Sequence, residues 1–248
     1  MKVIFVYSGK GGVGKSTISY NISYYLKNKG NKVAILDSDF NAPSLHKLFE
    51  GLSKEKDCEI NNFKIYPAMY ESILVQSTGF LNNNQGVIWN EDFIEGALFQ
   101  LLTPDLFLCD YLIIDMPPGI TEVHSQICKS FPNGKVIFII SPSHLSIEDT
   151  LKAYKFIDKL DIKTLGTIIN MDYFKCESCN HENKLFDNLY LNFKEVNFIK
   201  NSKFVINLPF SSNISQANEK KIPLLKYSKN CNESTKFEEI INNIEKWA

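Results

Sequence analysis

The sequence predicts a three-layer α/β fold, a doubly wound and mostly parallel sheet with helices on both faces. Three observations predict it. Short β-branched runs alternate with helical patterns along the chain, the ordering that builds βαβ units. Runs such as YLIID (Tyr111 to Asp115) and KVIFII (Lys135 to Ile140) are apolar at successive positions, as strands covered on both faces must be. A glycine-rich loop joins the first such run to the first helical pattern, and open α/β sheets bind ligands at such strand ends.

Taken in order, Lys2 to Tyr7 reads as a strand, Lys15 to Asn28 as a helix closed by Gly30, and Lys32 to Asp37 as a second strand, together a βαβ unit. Further strands are expected at Phe63 to Ala68, Ile73 to Ser77, Tyr111 to Asp115, Lys135 to Ser141, Thr164 to Asn170 and Phe204 to Leu208. Helices are expected at Glu91 to Leu102, Thr121 to Phe131, Ile147 to Leu160 and Ser234 to Trp247. Ser146 with Asp149 has the spacing of a capping box for the third of these. Gly51 to Asn62 and Cys176 to Asn201 are polar and read as loops, where functional segments tend to lie. With no internal repeat and no long linker, the 248 residues read as a single domain, 1–248.

Composition narrows the function. The chain has 44% apolar and 22% charged residues, an ordinary globular balance. A net charge of -1 lacks the footprint of a nucleic-acid binder. All 27 basic residues are lysine, so no guanidinium fork is present and cationic catalysis falls to an ammonium group. No apolar run approaches the roughly 18 to 20 residues that span a bilayer, so no membrane association is expected and the expected compartment is the cytoplasm. In that reducing setting the six cysteines read as buried thiols or metal ligands rather than disulfides.

Gly9-Lys10-Gly11-Gly12-Val13-Gly14-Lys15-Ser16 matches the phosphate-binding loop G-x-x-x-x-G-K-[ST] and lies between a strand and a helix, the context that confirms it. Its glycines let successive backbone N–H groups turn toward phosphates, and the helix N-terminus adds partial positive charge. Lys15 is expected on the β and γ phosphates of ATP and Ser16 on Mg²⁺, with Thr17 beside them. Asp37 and Asp39 follow the second strand, and Asp115 ends YLIID in the position of a carboxylate that holds Mg²⁺ through its water shell; Asp39 is expected beside the metal as well.

The second lysine, in KGGVGKST, resembles the deviant Walker A signature of the MinD/ParA and nitrogenase-iron-protein class of P-loop ATPases. The resemblance implies that Lys10 reaches across a homodimer to the partner's nucleotide and that Asp39 orients the attacking water. In a chain without arginine, a lysine supplied in trans is a coherent substitute for an arginine finger.

Cys176-Glu177-Ser178-Cys179 is a lone C-x-x-C, open among a metal site, a redox dithiol and coincidence. One pair supplies two thiolates, whereas zinc or an iron-sulfur cluster usually takes four ligands. A two-fold dimer meeting at this loop would supply four. Lys175 beside the first thiol favours the thiolate. Cys58, Cys109, Cys128 and Cys231 have no partner spacing and read as ordinary apolar or surface thiols.

Four segments, Ser8 to Thr17, Asp37 to Phe49, Asp110 to His124 and Asn170 to Cys179, resemble the Mrp/ApbC-type iron-sulfur cluster carrier ATPases. The resemblance implies a 4Fe-4S cluster bridged across a homodimer by Cys176 and Cys179 and passed to apo iron-sulfur client proteins. It also implies that Asn170 and the backbone near Pro209 hold adenine. The chain departs from that pattern at Ala42, at Trp89-Asn90-Glu91 and at Ile120-Thr121-Glu122. Two other readings share the nucleotide residues: a MinD/ParA-like spatial regulator and a nickel or zinc metallochaperone. A membrane-targeting regulator needs a basic amphipathic terminal helix. Here Phe237, Ile240, Ile241, Ile244 and Trp247 form an apolar stripe beside an acidic face, better suited to packing on the sheet.

Overall fold

The computed structural model describes residues 1–40, 42–62, 64–80, 91–103, 108–176, 178–179, 181–184 and 196–247. Its strands in chain order are β1 (Lys2–Tyr7), β2 (Val33–Asp37), β3 (Lys54–Lys56), β4 (Glu59–Asn61), β5 (Lys64–Tyr66), β6 (Ala68–Tyr70) and β7 (Ile73–Gln76), then β8 (Tyr111–Asp115), β9 (Lys135–Ile140), β10 (Lys163–Ile169), β11 (Tyr173–Lys175), β12 (Glu182–Lys184) and β13 (Phe204–Asn207). The main helices are α1 (Lys15–Asn28), α2 (Glu91–Leu101), α3 (Glu122–Ser130) and α4 (His144–Lys159), with Ser212–Glu219 and Asn232–Glu245 following. The main sheet has the order β13-β10-β9-β1-β8-β2-β7-β6-β3. Pairing is parallel from β13 to β7 and antiparallel at the β7-β6-β3 edge.

The two-sided strands explain the layers. On β1, Ile4 and Val6 face one core while Val3, Phe5 and Tyr7 face the other; on β8, Tyr111 and Ile113 divide from Leu112 and Ile114 in the same way. This is the period of two that a pleated strand imposes. The first core is closed by α1 through Ile18, Ile22 and Leu26, and by the C-terminal helix through Phe237, Ile240, Ile241 and Ile244. All four of those C-terminal side chains are fully buried, so the apolar stripe is spent on the sheet. The second core is closed by α2, α3 and α4 through residues such as Leu101, Ile127 and Ile157. No helix among the described residues is long and apolar enough to cross a membrane.

Three local expectations are corrected. The strand expected over Phe63 to Ala68 is two strands that straddle Pro67. β5 pairs with β4 in a separate hairpin, and β6 turns back on β7; proline has no N–H to carry one ladder through. Phe63 itself lies outside the described residues. The stretch from Gly51 to Asn62, read as a loop, contributes β3 and β4. The capping box of Ser146 and Asp149 does not form, because α4 starts earlier with Ser143 as its cap, accepting from the Ser146 N–H at 3.3 Å. The Ser146 hydroxyl instead accepts from the Ser141 N–H at 3.1 Å, and Asp149 pairs with Lys152 at 3.0 Å.

Candidate nucleotide site and cysteine hairpin

The phosphate loop runs from the end of β1 into α1. Gly14 is the N-cap of α1 at φ 93°, and no side chain caps this end, so the first N–H groups of the helix stay available to an anion. A left-handed residue here favours glycine, and a Cβ on Gly14 would stand 2.4 Å from Asn170 Nδ2 and displace that side chain. Gly9 is held by close approach instead. A Cβ there would lie 2.1 Å from the backbone carbonyl carbon of Asp149 in α4. Its N–H donates to Thr150 Oγ1 at 3.3 Å, and Ser8 Oγ donates to the Lys10 carbonyl at 2.6 Å. Gly11 and Gly12 are exposed and Val13 is buried.

Lys15 is buried, and its pKa is lowered by burial, against which Asp115, Asp39 and Asp37 pull upward. Lys10 is half-buried and forms no ion pair among the described residues. Its charge is therefore uncommitted among the described residues.

Sheet register brings the acidic groups together. Asp37 and Asp115 are partners across the β2–β8 ladder, and both are buried. Burial, with the Asp115 charge adding, raises Asp37 to about 8, although it accepts hydrogen bonds from the N–H groups of Asp39 and Leu45 and from Ser77 Oγ. Burial raises Asp115 to about 6, opposed by hydrogen bonds from Ser16 and Ser19 and by the Lys15 charge. A like-charged pair dehydrated in this way is under-neutralised. Divalent magnesium beside Ser16 suits such a site. Asp39 is half-buried and accepts from the Ala42 N–H at 3.1 Å, so Ala42 supports the loop after Asp39. Trp89 and Asn90 lie outside the described residues, and Glu91 begins α2. Thr121 N-caps α3 and Ile120 is exposed.

The loop after Asp115 is clamped by a group that composition did not point to. The His124 Nδ1 accepts from the Thr121 N–H at 3.0 Å, leaving Nε2 to donate to the Pro117 carbonyl at 3.0 Å. The His124 ring lies 4.6 Å from that of Tyr7, whose hydroxyl donates to the Gly119 carbonyl.

Asn170 and Pro209 come together at the ends of β10 and β13. With Gly14, Thr17, Phe210 and Asn218 they line a cavity of about 190 Å³ beside the phosphate loop. The Asn170 Nδ2 donates to the Val13 carbonyl at 2.9 Å, and Asn218 Nδ2 to Thr17 Oγ1 at 3.0 Å. The uncapped helix end, the buried lysine and this adjoining cavity fit a nucleotide with its phosphates on the loop and its base in the cradle. Asn218, Phe210 and Ser19 were not foreseen. Ser19 lies one turn beyond Ser16 on the sheet side of α1, a signal that spacing offers, whereas nothing local marks Asn218.

The cysteines stand on the β11–β12 hairpin, closed by the Cys176 N–H donating to the His181 carbonyl at 2.9 Å. Cys176 is half-buried and Cys179 exposed. Hydrogen bonds from the Cys179 and Ser178 backbone lower the Cys176 pKa, favouring thiolate. Burial instead raises Cys109 to about 11 and Cys128 to about 12, as expected of inert core thiols, while Cys231 caps the C-terminal helix, its Sγ accepting from the Ser234 N–H at 3.4 Å. No group of three or more metal-ligating side chains occurs among the described residues.

A phosphate loop on a parallel sheet of this order, with carboxylates at the neighbouring strand ends, defines an α/β P-loop NTPase of the MinD/ParA-like fold. A family model described as ParA, NUBPL iron-transfer P-loop NTPase, matches residues 1–245, and the chain belongs to that family. An iron-sulfur cluster carrier protein of Pseudomonas fragi is 34% identical over 187 residues, 74% of this chain and 65% of that protein. One of Rickettsia conorii is 32% identical over 226 residues, 90% of this chain and 66% of that protein. One of Haemophilus influenzae is 32% identical over 186 residues and half covered, at 50%. The chain thus spans about half to two thirds of the length of these curated relatives. Among solved structures, a nucleotide-binding protein from Archaeoglobus fulgidus in complex with ADP has a TM-score of 0.71 at 24% identity, over 94% of this chain and 90% of that one. MinD from Pyrococcus horikoshii with Mg-ADP has 0.69 at 20% identity, over 99% and 96%. These two likenesses show the fold.

Proposed function

We propose that this chain is an ATP-dependent iron-sulfur cluster carrier that works as a homodimer. The observation that carries the reading is the accessible C-x-x-C hairpin, with one thiol biased toward thiolate, on a protomer whose described residues offer no third ligand beside it. Two copies supply the four thiolates that a bridged 4Fe-4S cargo takes. Relatives named as iron-sulfur cluster carrier proteins support the cargo.

In this reading the backbone of Gly9 to Gly14 and the Lys15 ammonium hold the ATP phosphates. Ser16, Asp39 and Asp115 would hold Mg²⁺, with Asp115 hydrogen-bonded to Ser16 and Thr17 beside them. Asp39 orients the attacking water, and Lys10 reaches the partner's phosphates. Asn170 and the segment at Pro209 hold the base. Mg²⁺, when bound, neutralises phosphate charge. Hydrolysis is slow and coupled to loading or release of the cluster toward apo clients, through the loops after Asp39 and Asp115.

The test is iron, sulfide and zinc content after anaerobic reconstitution, for the native chain, Cys176→Ala and Cys179→Ala, with ATP binding measured alongside. About four iron and four sulfide per dimer, lost in both variants while ATP still binds, is the expected result. Zinc without iron, or full iron in either variant, would overturn the cargo. Lys15→Ala is expected to abolish nucleotide-dependent function, and undiminished function in it would overturn the ATPase arm.

A further inference from the structure

The base cradle and the cysteine hairpin share a wall. Pro209, Phe210 and Ser211 line the cradle on one side and, on the other, a second cavity of about 180 Å³ that also takes in Lys175, Cys176 and Cys231. The chain also joins the two sites directly, because Asn170 and Met171, just after β10, line the cradle and the chain runs on from them through β11 (Tyr173–Lys175) to Cys176.

The connection is held by distinct pins. Met171, at φ 58°, takes the left-handed conformation, which a side chain adopts at a cost and keeps only where its surroundings fix it. Its neighbour Asp172 is 2% exposed. The Asp172 N–H donates to the Leu208 carbonyl at 2.9 Å, and its Oδ2 accepts from Asn207 Nδ2 at 2.7 Å. The Phe210 N–H then donates to the Tyr173 carbonyl at 2.7 Å. The stretch after β10 and the stretch after β13 are therefore fastened together, and each belongs to both sites. Asp172 Oδ1 is buried without a hydrogen-bond partner among the described residues.

We propose that this segment couples the two sites within one protomer, with Asp172 as the positioning residue: a base in the cradle restrains Met171 and Phe210, and through the Asp172 and Tyr173 pins it fixes where Cys176 stands. The coupling deepens the carrier reading and rests on it for the identity of both sites. It acts in cis, so it needs neither the γ-phosphate nor the partner's Lys10. A ligand shifts such a joint only by what it contributes differently to its two arrangements, and in this proposal that difference comes from the base seated against Met171 and Phe210.

The experiment uses the reduced, metal-free full chain. The rate of Cys176 alkylation by iodoacetamide is followed by mass spectrometry of its peptide, without ligand, with ADP and with inorganic tripolyphosphate. ADP is expected to change the rate on the order of fivefold, a typical size for coupled sites, and tripolyphosphate, which occupies the phosphate loop alone, to leave it unchanged. Asp172→Asn and Asn207→Ala, both outside the two cavity linings, are expected to keep binding ADP by calorimetry and to lose the ADP effect on Cys176. Equal effects of ADP and tripolyphosphate, or a full ADP effect in both folded variants, would overturn the proposal. Because no cluster is present, a failed iron assay leaves this result intact, and calorimetry in the same sample reports on nucleotide binding separately.

Discussion

His124 is fully buried, 0% exposed, and its ring nitrogens are committed to opposite roles. A second proton at Nδ1 would face the Thr121 N–H and turn to the Thr121 hydroxyl or carbonyl, 2.9 and 3.3 Å away, so charging the ring gives up the bond it accepts from the Thr121 N–H. Burial, with the Lys15 charge adding, lowers its pKa from 6.5 to about 4, despite the upward pull of the Pro117 and Thr121 carbonyls, which favour a protonated ring. The folded state therefore binds fewer protons than the unfolded state between these values. Stability rises with pH across that window and is lost as pH falls through it. Between about pH 7 and about pH 5 the loss from this one group is about 2 kcal/mol. Other groups titrate in the same range, so the informative quantity is a difference. Urea unfolding at both pH values, for the native chain and for His124→Gln, is expected to show about 2 kcal/mol more acid destabilisation in the native chain. Equal losses, within about 0.5 kcal/mol, would refute the argument that His124 is held neutral.

Phe237 is fully buried and stacks on Tyr25 with ring centroids 5.4 Å apart; Phe237→Ala is expected to lower unfolding stability by about 3 to 5 kcal/mol in urea melts. In Gly9→Ala the new methyl meets backbone of α4 rather than a side chain that can swing away, so calorimetry is expected to show at least about tenfold weaker ATP binding, with about 1 to 3 kcal/mol lost in stability. Lys10→Ala is expected to retain ADP binding but to lose ATP-dependent dimerisation by sedimentation velocity; dimerisation at native strength would remove Lys10 from the interface.

Much of this protein was legible locally. The continuous apolar runs of β1, β8 and β9 and the apolar stripes of α1 and the C-terminal helix announced a two-sided parallel sheet, because burial on two faces needs apolar residues at successive strand positions. The phosphate loop is contiguous, so its residues stay together wherever the sheet places them. The Ser146 capping box failed because two serines compete at that helix end and only packing chooses between them. The β4–β5 hairpin went unseen because its strands are three residues each, too short to show a period.

What the sequence determined by itself is the fold class, the phosphate loop, the acidic strand ends and the cysteine pair, all written in residue spacing. Tertiary structure alone decided that Asp37 and Asp115 are register partners in a dehydrated layer, that Asn218 and Phe210 join Asn170 around one cavity, and that this cavity shares a wall with Cys176. These depend on strand order and on exclusion of water. Register and dehydration arise only when distant segments pack, and no local pattern of side chains carries them.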